Sequence, residues 1–200
     1  MYFMKINNSL KIAAVLVLTV LITGCATRKV TRVDPADQID LSGRWNDTDS
    51  KQVAEQMSRD VLSKPWLTRF EGNQERPPVV IIGIIINRTS EHIEAETFVK
   101  DVEIEFINSG KVRVVASDLF REKLREEKDQ QQTNATPESQ QKIAAELGAD
   151  FMLFGTINST TDEYKKERLV NYKVNLELIN LETTEKVWIG DKEIKKFIKN

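Results

Sequence analysis

The residue with the most distinctive chemistry in this sequence is Cys25, the only cysteine among its 200 residues. It ends the motif Ile22-Thr23-Gly24-Cys25, behind an apolar run that begins after Lys11. A basic start, a short hydrophobic segment and small residues before a cysteine are typical of a lipoprotein signal peptide. We therefore predict that residues 1–24 are removed and that Cys25 carries the lipid as the first mature residue.

Two other interpretations of this segment fit its length and composition less well. A transmembrane helix needs about 20 apolar residues, and the run from Ile12 to Ile22 offers roughly half that length. An ordinary secretory signal ends in an Ala-x-Ala-like site, whereas here the small residues lead into a cysteine. Because lipidation consumes the only thiol, the folded part has no disulfide and must be held together by core packing.

The sequence lacks the motifs that would assemble an active site or bind a cofactor. The turn after the first predicted strand has no Gly-x-Gly-x-x-Gly pattern, and neither a Walker A lysine nor a Gly-x-Ser-x-Gly elbow occurs elsewhere. His92 is the only histidine, so we predict a surface residue and no zinc site. We expect a protein that is not an enzyme and that has no cofactor or metal.

Acidic residues cluster around the second predicted helix, where paired carboxylates can serve as acid and base. We expect them to lie on an exposed helix face, because nothing in the sequence indicates the burial that would separate the pKa values of such a pair. They are Glu91, Glu94, Glu96, Glu103 and Glu105.

The balance of charge argues against a nucleic-acid-binding protein, since 29 basic and 31 acidic residues are interspersed. Basic clusters occur at 165–168 and near Lys192, Lys195 and Lys196. Acids interrupt both clusters and no ladder of aromatic residues accompanies them, so we predict solvated faces at both places.

Three segments follow from composition: a signal peptide (1–24), a flexible tether (25–44) and a single globular domain (45–200). The tether is polar, contains a single proline (Pro35) and shows neither a helical nor a strand period. Fully extended, it reaches about 70 Å. The domain has about 150 residues, which suffices for one hydrophobic core.

Hydrophobic periodicity predicts an α/β domain with a mixed central sheet flanked by helices and a C-terminal β-hairpin. The clearest strand, Val79–Ile86, is almost entirely β-branched, which predicts burial on both faces. We expect Trp45 and Trp66, on either side of the first helix, to pack on the domain and not to form a ligand platform. The predicted helices cover 47–63, 93–108, 119–130 and 137–148, and the other strands cover 111–116, 150–155, 172–178 and 186–190, with a long exposed loop at 158–168.

Several motifs of this chain resemble the LpoB family of penicillin-binding-protein activators. They are Leu41–Asp49, Pro65-Trp66-Leu67, the strand end Asn87-Arg88-Thr89 and Leu147–Asp150, within a resemblance that covers about Leu41–Gly190. The resemblance implies a fold similar to the amino-terminal domain of TolB and the periplasmic domain of CsgG. It also implies an outer-membrane lipoprotein, facing the periplasm, that binds a class A penicillin-binding protein and stimulates peptidoglycan synthesis without performing chemistry itself.

For partner binding, the sequence points to the exposed turn Asn87, Arg88 and Thr89, with a strand-end cap that orders the turn as the alternative interpretation. The enterobacterial family members carry a long proline-rich tether, and this chain carries a short one. Ala26, next to the predicted lipidated cysteine, resembles the sorting pattern of the outer membrane. We expect a monomeric domain.

Two other functions are considered. A structural or assembly subunit of a CsgG-like secretion complex would form rings and contribute long amphipathic strands, of which the sequence shows no obvious pair. A hydrolase that uses the surface acids would require a catalytic pair among them.

Overall fold

The computed structural model describes residues 30–34, 37–131 and 136–199. Contacts divide the chain into two compact units, Met1–Asp37 and Gln38–Asn200. In the first unit, the described residues 30–34 and 37 form neither helix nor strand. Cys25 and the predicted signal peptide lie outside the described residues.

In the second unit, the described residues form five helices and five strands. They are α1 (Asp47–Val61), α2 (Pro65–Gln74), β1 (Val79–Asn87), α3 (Ala95–Asn108), β2 (Arg113–Val115), α4 (Ser117–Gln131), α5 (Pro137–Glu146), β3 (Phe151–Tyr164), β4 (Glu167–Asn180) and β5 (Lys186–Lys199). The strand order is β2-β1-β3-β4-β5. Strand β1 pairs in parallel with β2 and β3, and β4 pairs antiparallel with β3 and β5. The predicted α/β class, the mixed sheet and the C-terminal hairpin are confirmed.

The sheet separates two hydrophobic clusters and so forms the middle of three layers. Helices α1, α2 and α3 cover one face, which we call the α1–α3 face, where Val53, Phe98 and Phe106 pack against Leu153 and Leu176. Helices α4 and α5 cover part of the opposite face, which we call the α4–α5 face. There Phe120, Leu124, Ile143 and Ala144 pack against Ile81, Met152 and Ile179.

Local hydrogen bonds fix where two of the helices begin. Asn46 caps α1: its Oδ1 accepts from the Asp49 N–H (3.1 Å), and Asp49 Oδ2 accepts from the Asn46 N–H (2.9 Å). This reciprocal pair satisfies two backbone donors, so Asn46 is the cap and the sequence-based candidates Asp47, Thr48 and Asp49 lie within the first turn. Thr136 and Pro137 start α5 as predicted, with Thr136 Oγ1 accepting from the Ser139 N–H (3.2 Å). Helix α3 begins only at Ala95, since Ser90 and Glu91 belong to the preceding turn.

The largest correction concerns residues 158–168, which were predicted to be a loop. Strand β3 continues through them to Tyr164, the chain turns at Lys165 and Lys166, and β4 pairs with β3 without interruption from Glu167 to Asn180. Strand β5 likewise continues past Gly190 to Lys199. Polar residues on a half-open sheet resemble a loop in sequence, but cross-strand pairing decides their conformation. Strands β3, β4 and β5 each have 14 residues and are longer than the sequence predicts.

Two smaller differences concern the first half of the domain. Residues 65–74 form helix α2, which periodicity did not predict, and its Trp66 is buried with its Nε1–H donating to the Val61 carbonyl (2.7 Å). Strand β1 is covered on both faces only in its first half, since Ile84 and Ile86 are 37% and 47% exposed.

The compact domain includes residues that precede the predicted boundary at position 45. Its first residues, Gln38–Trp45, form a segment that we call the strap. Gly43 in the strap has a φ of +67°, and a Cβ there would lie 2.4 Å from the side chain of Ile198 in β5. The strap therefore packs closely on the last strand of the sheet.

The absence of a side chain at Gly155 in β3 lets the backbone of β4 lie close to it, and a substitution there should therefore lower the stability of the domain. A Cβ at this position would lie 2.1 Å from the Asn175 carbonyl oxygen. We expect Gly155→Ala to lower the free energy of unfolding by about 1–3 kcal/mol, measured by urea denaturation. The matched control is Gly72→Ala at an exposed position of α2, where nothing lies within 4 Å of the new Cβ. There the free energy of unfolding should rise by about 0.5–1 kcal/mol. Equal effects at both sites would contradict this interpretation.

Candidate docking surface

The turn after β1 is held by the side chains of Asn87 and Thr89. Asn87 Oδ1 accepts from the Thr89 N–H (2.9 Å) and from Thr89 Oγ1 (2.8 Å), while Asn87 Nδ2 donates to the Glu91 carbonyl (2.8 Å). Thr89 Oγ1 also accepts from the Glu91 N–H (3.1 Å). Because their polar atoms are occupied within the turn, Asn87 and Thr89 act as the strand-end cap that was the alternative interpretation.

Arg88, between these two residues, differs from both of them. Its backbone N–H donates to the Ile157 carbonyl of β3 (2.7 Å), which fixes the position of its Cα, while the residue is exposed. Among the described residues, no carboxylate forms an ion pair with its guanidinium. The turn thus presents one cation on a fixed backbone, which is an arrangement suited to recognising a carboxylate on another molecule.

Arg88 lies at the edge of a groove on the α4–α5 face, with a volume of about 580 Å³. Its apolar lining is Ile84, Ile86, Met152, Phe154 and Ile189, and its polar lining includes Gln140, Gln141, Asn175 and Glu177. A second hollow of about 480 Å³, between β1, α3 and α4, shares Ile84, Ile86 and Gln140 with the groove. The two hollows together form an open, mixed apolar and polar surface.

The groove exists because α4 and α5 cover only part of the length of the strands on this face. These helices pack on Ile81, Met152 and Ile179, near the ends of the strands where β1 and β3 begin. Beyond that point the same face carries Ile84 and Ile86 on β1 and Ile189 on β5, and Ile189 is 61% exposed. Exposed aliphatic side chains beside a cation are typical of a protein-binding surface.

A partly buried carboxylate connects the Arg88 turn to the strap. Glu91 Oε1 accepts from Tyr172 Oη of β4 (2.6 Å), and Glu91 Oε2 accepts from the Trp45 N–H of the strap (3.2 Å). Burial, together with the Glu91 carboxylate, raises the pKa of Tyr172, so the phenol remains a donor. The Trp45 ring packs edge-on against Tyr172 and Phe98, with centroids 5.6 and 6.5 Å apart.

A second cluster fixes the strap to the last strand. Lys196 Nζ donates to Asp49 Oδ2 (2.6 Å), to Asp40 Oδ1 (2.6 Å) and to the Arg44 carbonyl (2.9 Å). The side chains of Lys196 and Asp49 are only 8% and 7% exposed. Burial alone would lower the pKa of Lys196, but the hydrogen bonds to Asp40 and Asp49 hold it above its ordinary value, so the ammonium stays charged.

The other predicted residues are distributed as follows. His92 is exposed, as predicted, and its Nε2 lies 2.6 Å from Glu94 Oε1. The prediction of an exposed face was wrong for Glu91, which bonds Tyr172 and Trp45, and for Glu103, which is buried and bonds Lys100 (2.9 Å). Lys196 is likewise not on a solvated face. Within the described ranges, no group of three His, Cys, Asp or Glu side chains is placed to hold a metal ion.

Comparison with known families gives a direct result. The family model described as peptidoglycan-synthase activator LpoB matches residues 49–194, well over half of the chain. This chain belongs to the LpoB family. The motifs Pro65–Leu67, Asn87–Thr89 and Leu147–Asp150 lie within the matched region, whereas Leu41–Asp49 precedes it except for its last residue. The family is one of activators of peptidoglycan synthases.

Solved LpoB structures share this fold at low sequence identity. The LpoB C-terminal domain from Escherichia coli is 18% identical, with a TM-score of 0.50 over 74% of this chain and 99% of that one. The domain from Salmonella enterica is 17% identical, with a TM-score of 0.46 over 74% and 99%. Lipoprotein GNA1162 from Neisseria meningitidis is 14% identical, with a TM-score of 0.43 over 60% and 84%. Among curated proteins, none matches this sequence.

Sequence reasoning found the Arg88 turn but missed the groove beside it and the cluster behind it. The groove depends on which strands the helices leave uncovered, and no local pattern reports that. For the cluster a weak signal existed: Lys196 falls between Ile194 and Ile198 on the inward-facing positions of a strand. An inward lysine indicates a buried partner carboxylate, but not which one.

The Lys196 cluster yields a prediction about stability. Lys196→Met leaves the Asp49 carboxylate buried without its counter-charge, so we expect a loss of about 3 kcal/mol in the free energy of unfolding. Lys195→Met, one residue away and exposed, is the control and should change stability by no more than about 0.5 kcal/mol.

A double-mutant cycle separates the ion pair from simple packing. Adding Asp49→Asn to Lys196→Met removes the orphaned charge, so the double variant should be more stable than Lys196→Met alone. If the double variant loses the sum of both single effects, the pair does not stabilise the domain in this way. Urea denaturation of the four proteins measures each term.

Proposed function

We propose that this protein is a lipoprotein of the outer membrane that faces the periplasm, binds a class A penicillin-binding protein and stimulates its synthesis of peptidoglycan. The observation that carries the proposal is the match of residues 49–194 to the LpoB family of peptidoglycan-synthase activators. The protein itself performs no chemistry in this scheme, and contact with the synthase is the regulatory event.

The docking surface that we propose comprises the Arg88 turn and the adjoining groove. Its occupant is the periplasmic part of the synthase, presenting an acidic group to Arg88 and apolar side chains to Ile84, Ile86 and Ile189. Charge complementarity at Arg88 would set the register of the complex, and burial of the aliphatic residues would supply most of the binding energy. Asn87 and Thr89 contribute by holding the backbone of the turn.

The tether limits where this complex can form. The compact unit begins at Gln38, so the chain from the predicted lipidated Cys25 to the domain spans residues 26–37 only. A segment of this length reaches at most about 45 Å, which is shorter than the reach of about 70 Å expected from a boundary at residue 44. The periplasmic part of the synthase must therefore extend towards the outer membrane.

Reversing the charge at Arg88 tests the docking surface. We expect Arg88→Glu to weaken binding to a class A synthase from the same organism by about tenfold or more, and to lower stimulation of glycan synthesis equally. Because the Arg88 side chain makes no described ion pair, the variant should unfold at the same temperature as the unchanged protein. Equilibrium binding and a glycan-polymerisation assay give the two readouts.

The matched control is Arg69→Glu on α2. Arg69 is also exposed, but α2 packs on the opposite face of the sheet. This control should bind and activate normally. A folded Arg88→Glu protein that binds as tightly as the control would show that the synthase docks elsewhere.

The lipid anchor requires a separate test. Cys25→Ser removes the only thiol, so the protein should carry no lipid and should show no lipid mass increase. Mass spectrometry of the unchanged protein should show a mature chain that begins at residue 25 with a mass increase for the lipid. A lipid mass increase on the Cys25→Ser protein would contradict anchoring through this residue. Among the described residues, no helix is both long enough and apolar enough to span a membrane.

A further inference from the structure

The hairpin formed by β3 and β4 ends in a cluster of exposed hydrophobic side chains that the docking surface does not use. Tyr164, Leu169 and Phe197 are 69%, 40% and 64% exposed. Leu169 lies directly opposite Phe197 across β4 and β5, and Tyr164 lies on the neighbouring strand two residues beyond the position opposite Leu169. The alternation of side chains places all three on one face of the sheet, and we call them the hairpin-end patch.

This patch is distinct from the groove, although both lie on the α4–α5 face. A polar cluster separates them, in which Lys173 Nζ lies 3.3 Å from both Asp191 and Glu193. Ile189 in the groove and Phe197 in the patch are eight residues apart on β5, a separation of about 26 Å along an extended strand. A molecule bound at one surface therefore leaves the other accessible.

At the same end of the hairpin, the α1–α3 face of the sheet is covered. There Val170 and Tyr172 are buried, and the strap lies against Ile198 through Gly43. The exposed side chains of the patch are thus not part of an unfinished core, because the core at this end is completed by the strap.

Two lysines lie at the hairpin tip, next to the patch. Lys165 and Lys166 form the tip of the hairpin, and Lys165 Nζ lies 5.1 Å from the centre of the Tyr164 ring. Among the described residues, neither lysine forms an ion pair, whereas the nearby acids Glu163 and Glu167 are paired with Arg168 (3.0 Å) and Lys199 (3.5 Å). The surface combines exposed aromatic and aliphatic side chains with the two lysines of the hairpin tip, and the exposed Asp162 lies opposite Leu169 on the same face.

We propose that the hairpin-end patch binds the surface of a phospholipid bilayer that contains anionic headgroups. Tyrosine, phenylalanine and leucine enter the boundary between headgroups and acyl chains, and long lysine side chains reach the phosphates. The short chain between Cys25 and the domain supports this occupant over a protein: an anchor with a reach of about 45 Å keeps the patch near the membrane. This last point rests on the lipid anchor proposed above, whereas the patch itself does not.

Vesicle binding by the unlipidated chain, residues 26–200, tests the proposal independently of the anchor. This chain contains the whole second compact unit. We expect it to sediment with vesicles of phosphatidylethanolamine containing about one quarter phosphatidylglycerol, and to bind vesicles of phosphatidylcholine several-fold more weakly. Raising the salt from about 50 mM to about 500 mM should weaken binding without abolishing it, because the apolar contacts are not screened.

Matched substitutions identify the surface. Phe197→Asp and Tyr164→Asp should each weaken vesicle binding by about tenfold, since a charged side chain replaces an inserted ring. Ile107→Asp, at a residue of α3 that is 59% exposed, should bind like the unchanged chain. Circular dichroism and the unfolding temperature establish that each variant is folded. The Lys165→Glu/Lys166→Glu variant tests the contribution of the lysines and leaves the apolar residues unchanged; it should also bind anionic vesicles more weakly.

Three results would overturn the proposal. One is the absence of binding to the anionic vesicles, and another is equal binding by Phe197→Asp and Ile107→Asp. The third is a concentration-dependent dimer in sedimentation equilibrium that Phe197→Asp abolishes while vesicles remain unbound, which would assign the patch to a second copy. None of these results bears on synthase activation, which Arg88→Glu tests separately.

Discussion

The dominant constraint in this structure is the difference in length between the strands and the helices that cover them. Strands β3, β4 and β5 each have 14 residues, which corresponds to about 45 Å, whereas the five helices have 10 to 15 residues and are about 15–22 Å long. Helices on either face therefore cannot cover the whole sheet. What remains uncovered must be closed by another segment or left to solvent and partners, and the domain uses both solutions.

On the α1–α3 face, the strap closes the gap both by packing of the Trp45 ring and by a cluster of charged groups. Lys196 and Asp49 join the last strand to the first helix, and Asp40 and the Arg44 carbonyl add the strap to the same ammonium. An ion pair of this kind contributes little net stability compared with apolar residues of the same volume, but it specifies one arrangement, since any displacement leaves a charge buried without a partner. The same segment reaches Glu91 and so fixes the base of the Arg88 turn.

On the α4–α5 face, the uncovered sheet carries the surfaces to which we assign functions. The groove beside Arg88 and the hairpin-end patch are separated by a polar cluster on the same strands. A domain that contacts its membrane through the hairpin end and its synthase through the groove would hold both surfaces at a fixed distance, because the continuous pairing of β4 with β5 makes the connection stiff. In a protein with a short tether, this rigid sheet would extend the distance over which the anchored domain can act.

The sequence by itself determined the class of fold and the exposed turn at Arg88, and it predicts the lipid anchor. β-branched runs and caps such as Thr136-Pro137 are local signals, so β1 and α5 were predicted close to their observed limits. The cysteine motif is read directly from the chain, and the Arg88 turn comes directly after the β-branched residues of β1. These features depend on neighbours within a few residues, which is why one sequence suffices to predict them.

Only the tertiary structure decided the length of β3 and β5, the partner of Lys196 and the position of the groove. Residues 158–164 are polar and become a strand because β4 supplies their hydrogen bonds. Their partners are only 3 to 15 positions away, but composition alone does not report that the two segments pair. Asp49 and Lys196 are 147 positions apart, and their pairing follows from the sheet order rather than from either residue. Surfaces that arise from what is left uncovered have no sequence pattern of their own, because they are defined by the reach of other elements.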